Sequence, residues 1–282
     1  MTSWGYGKKN GPATWGQSFQ HAAGDCQSPI DLKDTVVDSE LAARPLVFNY
    51  PTARCTNISN TGYSFKVDID QDGDNTPYIV DNQKARTNSL SGGPLTSHFK
   101  PIQFHFHWGK EDDRGSEHTV EGQNYSAELH IVHWTKDKGA SFSEAASAQG
   151  GLAVLGMLIK VGQEHSELQK SLRYCSEIKY AGDERKLADN DNMQLTALLP
   201  KNTTAYWTYS GSLTTPPCYE SVNWIVFKEP IEMSRAQLDA LRDLRSHKAG
   251  TCPSEDDEFC GHVVDNYRPP QPLKGRVLKC CQ

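Results

Sequence analysis

Six stretches of this chain are rich in β-branched and aromatic residues, and most alternate between apolar and polar positions: "SFKVDI" (64–69), "IQFHFHW" (102–108), "SAELHIVHW" (126–134), "AVLGMLIKV" (153–161), "AYWTYSGS" (205–212) and "VNWIVFK" (222–228). A period of two is the signature of a strand, because successive side chains point to opposite faces of a sheet. Turn clusters such as "SGGP", "EDDRGS" and "LPKNTT" separate them. Helical patterns are few: 141–148, 164–175 and 233–244, where Ser234 can cap and Leu238, Leu241 and Leu244 recur at intervals of three. No regular β-α-β alternation is present, which argues against a doubly wound parallel sheet. The expected class is α+β: a single domain, 1–282, on a large, twisted, mostly antiparallel β-sheet with short peripheral helices. The first 25 residues, rich in Gly, Trp and polar groups, are expected to wrap over the body.

Composition narrows the function classes. Net charge is −6 with acids and bases intermixed, and without a basic stripe no nucleic acid is expected as a partner. The longest apolar run, 151–159, falls far short of the roughly 20 residues of a membrane span. The N-terminus lacks a signal-peptide pattern, so the expected location is cytoplasmic, with secretion as the alternative if a leader is missing. Eight cysteines include no C-x-x-C pair, which disfavours a cysteine zinc site. Free thiols are expected, with Cys26/Cys218 and Cys252/Cys260 the pairs to test. Sequons begin at Asn57, Asn124 and Asn202; without secretion they stay unmodified. "DIDQDG" (68–73) opens like an EF-hand loop, but position twelve is Ile79 and Pro77 intrudes, so a hairpin turn is expected.

The two histidines of "IQFHFHW" carry the chemical question. Alternation puts Gln103, His105 and His107 on one face and Ile102, Phe104, Phe106 and Trp108 on the other. Imidazoles at i and i+2 stand roughly 6–7 Å apart at Cα and can converge on one ion. A second strand begins 20 residues later: Glu128, His130 and Val132 share a face opposite Leu129, Ile131 and His133. Paired antiparallel, the two strands bring together His105, His107 and His130, three neutral ligands that leave one tetrahedral position open. Gln103 and Glu128 are placed to accept the imidazoles' other N–H groups. His118 is read as a hydrogen-bonding structural residue and His133 as packed on the apolar face. On spacing alone, a metal site and a pair of structural histidines remain open. H-x-H also occurs in cupin-like iron oxygenases, which add a carboxylate a few residues on; Glu111 has that offset, but in a turn.

"QFHFHWG", "GSEHTV" (115–120) and "AELHIVHW" resemble the alpha-class carbonic anhydrases, and so do "WGYGKKNGP" (4–12), "QSPIDL" (27–32), "GLAVLG" (151–156), "YWTYSGSLTTPP" (206–217), "WIVFKEPI" (224–231) and "VDNYRPPQPL" (264–273). The match is to the cytosolic type and runs nearly end to end. The resemblance implies Zn²⁺ on His105, His107 and His130, with Gln103, Glu128 and Asn266 as their hydrogen-bond partners. It implies that Thr214 accepts a hydrogen bond from zinc-bound hydroxide and donates one to Glu117. It implies an apolar wall for carbon dioxide at Val132, Val154, Leu213 and Trp224, with Thr215 lining the floor. The implied reaction is reversible hydration of carbon dioxide to bicarbonate and a proton, with esterase activity and sulfonamide inhibition, in a monomer.

One position departs from the fastest family members. The histidine that ferries protons there is replaced by Tyr63, within "NTGYSF". A phenol with a pKa of about 10 is a poor relay near pH 7, so a weakened shuttle is expected. Lys66 also stands where the family often has an uncharged polar residue. Relatives that lost zinc ligands are catalytically silent binding modules; all three histidines, Glu117 and Thr214 are present here, which favours the enzyme.

Overall fold

The computed structural model describes residues 4–51, 53–70, 88–253 and 257–282. Its frame is an 11-stranded sheet. In chain order the strands are β1 (Val36–Val37), β2 (Cys55–Asn60), β3 (Phe65–Ile69), β4 (Lys100–Trp108), β5 (Ala127–Trp134), β6 (Leu152–Val161), β7 (Glu184–Lys186), β8 (Tyr206–Gly211), β9 (Val222–Phe227), β10 (Ile231–Met233) and β11 (Lys279–Cys281). They lie side by side as β7-β2-β3-β4-β5-β6-β9-β8-β11-β1, with β10 also pairing β6. Seven of the ten pairings are antiparallel; β6–β9, β6–β10 and β11–β1 are parallel. All six expected strands form, and the α+β reading holds. Helices α1 (Phe142–Ser147), α2 (Ser166–Leu172) and α3 (Arg235–Arg242) are short. Ser234 caps α3 in a reciprocal box with Gln237, and Leu238 and Leu241 are buried under it.

The central strands are covered on both faces, which is why β6 reads as an almost unbroken apolar run. Leu155, Met157 and Ile159 enter one core with Phe104, Phe106, Trp108, Leu129 and Ile131. Leu152, Val154 and Leu158 enter a second core with Val132, Trp134, Tyr209 and Trp224. Full burial of each such side chain contributes about 1.5–3 kcal/mol, and the two cores clamp β4, β5 and β6 from opposite sides.

One residue departs from the alternation. Ile102 does not join Phe104 but packs against the cluster on the opposite face that includes Val132 and Trp134. The register slips between Pro101 and Gln103, so Ile102 is the extra residue of a bulge. Proline has no N–H to give a central ladder, so it belongs at such a break; Pro101 was the signal. Of the "DIDQDG" stretch, residues 71–73, where the turn was expected, lie outside the described residues. All eight cysteines are free thiols. Among the described residues, no helix is long and apolar enough to cross a membrane.

Candidate metal centre

The register of β4 and β5 assembles the site. His105 pairs directly with His130, and His107 pairs with Glu128. Directly opposed residues share a face of an antiparallel pair, so the three imidazoles converge. One nitrogen from each of His105, His107 and His130 lies within 4.8 Å of the others. His107 and His130 are 1% exposed.

Each ring is held by its other nitrogen. His105 Nδ1 is 2.9 Å from Gln103 Oε1. His107 Nδ1 is 2.8 Å from the Asn266 carbonyl. His130 Nε2 is 2.7 Å from Glu128 Oε1. Each acceptor takes an N–H, which leaves His105 Nε2, His107 Nε2 and His130 Nδ1 as the lone-pair nitrogens. Asn266 thus acts through its backbone carbonyl. Its side chain does other work: Oδ1 accepts from Trp108 N at 2.7 Å, and Nδ2 donates to the Tyr63 carbonyl at 2.8 Å.

Two observations fit this set to a metal. His107 Nε2 is buried with no hydrogen-bond partner, a costly state for a polar atom unless it serves as a ligand. Burial, followed by the neighbouring imidazoles, pushes the His105 pKa well below its ordinary value, and burial lowers that of His107. Both rings are therefore neutral at physiological pH, as ligation requires.

A second cluster, His118, Glu128 and His130, is equally close, but its facing atoms are committed to one another by hydrogen bonds. His118 Nδ1 is 2.7 Å from Glu128 Oε1, and its Nε2 is 2.7 Å from the Tyr209 hydroxyl. Glu128 Oε2 accepts the backbone N–H groups of Glu117 at 2.9 Å and His118 at 2.8 Å. Burial alone would raise the Glu128 carboxyl; its interactions with His118 and His130 outweigh it and hold it well below the usual range. The carboxylate is a bracket for His130. Gly156 faces His130 on β6 and leaves room for it: a Cβ there would stand 3.2 Å from Glu128 Oε1.

Glu117 is wholly buried, and its Oε1 accepts from Arg268 N at 2.9 Å. Its Oε2 has no hydrogen-bond partner and lies 3.4 Å from His107 Nε2 and 3.9 Å from His130 Nδ1. Thr214 is also buried, but no hydrogen bond joins it to Glu117 in this structure. Val132, Val154, Leu213 and Trp224 fall in one apolar cluster, with the Trp224 ring 4.8 Å from that of His130. Thr215 is half-buried beside Thr214. The bulge brings Ile102 to this cluster as well, a member the alternation rule had put on the wrong face. Tyr63 is half-buried, and its ring stacks on Trp4 at 4.2 Å and 16°; nothing local in the sequence signals that contact.

Three tethered imidazoles with their free nitrogens converging beside an apolar wall define a catalytic-type metal centre on a predominantly antiparallel sheet. Residues 10–282 match the eukaryotic-type carbonic anhydrase family, and the chain belongs to it. It is 44% identical over 276 residues to carbonic anhydrase 1 of Mus musculus, covering 98% of this chain and 97% of that protein. It is 42% identical over 277 residues to carbonic anhydrase 1 of Monodelphis domestica, with the same coverage. The chain is thus a carbonic anhydrase, a lyase that hydrates carbon dioxide, and its cofactor is zinc.

Proposed function

We propose that residues 1–282 form one catalytic unit that converts carbon dioxide and water to bicarbonate and a proton, with His105, His107 and His130 holding Zn²⁺. The observation that carries the assignment is the buried, unpartnered Nε2 of His107 beside two similarly oriented rings. When bound, zinc acidifies a water and so supplies a nucleophile at neutral pH. Gln103, the Asn266 carbonyl and Glu128 fix the tautomers, so each ring presents a lone pair. Val132, Val154, Leu213 and Trp224 hold carbon dioxide, which has no net charge and suits an apolar wall; Thr215 lines the floor.

Thr214 and Glu117 act as a pair. The partnerless Glu117 Oε2 is the acceptor that the Thr214 hydroxyl needs. With its proton committed there, the Thr214 oxygen can only accept, which orients the O–H of the attacking water. The proton released must then reach solvent. Tyr63 stands on that route, and burial raises its pKa above that of an ordinary phenol, so it relays poorly near neutrality. Turnover is therefore limited by proton export and assisted by buffer.

The same reading makes the enzyme a cytoplasmic monomer that binds no nucleic acid, has secondary esterase activity and is inhibited by aromatic sulfonamides. Metal analysis with stopped-flow hydration tests it. The purified protein carries stoichiometric zinc, loses activity to a chelator, regains it with zinc, and is blocked by a sulfonamide. A zinc-free protein that stays inactive after zinc is restored overturns the proposal.

A further inference from the structure

The rim of the site carries a charge that the reaction as described leaves without a role. Lys66 on β3 is the direct partner of His105, and Asp68 is the partner of Gln103. Opposed residues share a face and stand about 4.5–5.5 Å apart, so Lys66 and Asp68 continue the row of side chains that holds the metal. Lys66 Nζ is 2.8 Å from Asp68 Oδ1, and both side chains are 34% exposed. None of the other side chains named on these walls is cationic.

The pair is an oriented dipole. Its positive end is level with His105, and its negative end is one step away, level with Gln103. The Lys66 side chain stands on the same face as the His105 ring, one strand away from the ligand row. The species entering and leaving the site differ in charge: carbon dioxide has none, and bicarbonate is an anion. A fixed ammonium beside the metal acts on the second and leaves the first alone.

We propose that Lys66, tethered by Asp68, is an anion-selective positioning residue that draws bicarbonate and other small monovalent anions to the site. This rests on the carbonic anhydrase reading above. Lys66 lowers the KM for bicarbonate, with the dehydration kcat falling in step, and makes the enzyme more sensitive to anionic inhibitors. Asp68 moderates the effect by taking part of the ammonium's field.

Two variants of opposite sign test this. In Lys66→Gln, thiocyanate binding, read from the visible spectrum of cobalt(II)-substituted protein, weakens by about three- to tenfold, and the KM for bicarbonate rises by a similar factor. The KM for carbon dioxide does not change, and the dehydration kcat rises with the bicarbonate KM, as the fixed equilibrium constant requires. In Asp68→Asn, anion binding tightens. Lys66→Arg retains the wild-type constants, and added inert salt shrinks the difference between Lys66→Gln and wild type. Hydration by the wild type, measured first, tests the parent reading separately. Unchanged thiocyanate and bicarbonate constants in both Lys66→Gln and Asp68→Asn, with native circular dichroism, overturn the proposal.

Discussion

The floor and the rim of this site are built in different ways. At the floor, the groups that hold the imidazoles are tied from several directions. Glu128 receives two imidazole and two backbone donors, and His107 is fixed by a carbonyl whose own residue also bonds Trp108. At the rim, Tyr63 is half-buried and leans on Trp4, while Lys66 pairs with one carboxylate. Buried polar groups must all be satisfied at once, so the floor tolerates little variation. Half-exposed groups can exchange a partner for water.

The largest effect comes from breaking the floor. His130→Ala removes a ligand and leaves Glu128 without one of its donors; bound zinc, measured by elemental analysis after dialysis, falls to background, and hydration falls with it. Glu128→Gln is the next largest. It keeps the shape but has one acceptor oxygen instead of two, so its NH2 must face either the imidazole or the backbone donors; zinc affinity drops by about 10–100-fold, read by competition with a chromophoric chelator. The same carboxylate ties stability to pH. Its folded pKa lies below that of a free glutamate, so the unfolded chain binds its proton first. The stabilisation is present above the ordinary carboxylate range and is lost as pH falls through and below it. Thermal unfolding from pH 7 to pH 3 therefore shows a smaller loss of stability in Glu128→Gln than in the wild type.

The rim responds more mildly. Tyr63→His speeds turnover in weak buffer by about tenfold or more, while imidazole accelerates the wild type and hardly affects the variant. If the wild type already turns over fast without buffer, the rim is not the bottleneck. A further rim test is Trp4→Ala, which removes the ring stacked on Tyr63; that pair contributes about 0.5–1.5 kcal/mol beyond the lost burial, and the loss is measured by thermal denaturation. Zinc content stays unchanged, which separates a rim defect from a floor defect.

Much of the floor was legible because a strand's period of two turns spacing into direction. His105, His107 and His130, with Gln103 and Glu128 on the same faces, follow from alternation and one antiparallel pairing. The rule failed at Ile102, where Pro101 breaks the ladder and sends a residue to the other face. His118 was legible as a hydrogen-bonding residue, but its two partners, Glu128 and Tyr209, were not.

By itself the sequence determined which strands exist, which faces they present and which imidazoles could meet. Those are local properties, set by side-chain type and period. Only the tertiary structure decided which nitrogen of each imidazole is free, since that depends on acceptors such as the Asn266 carbonyl, 159 positions along the chain from His107. It alone stacked Trp4 on Tyr63 and set Lys66 opposite His105. Such contacts join distant segments through register and packing, and no pattern within a single segment encodes them.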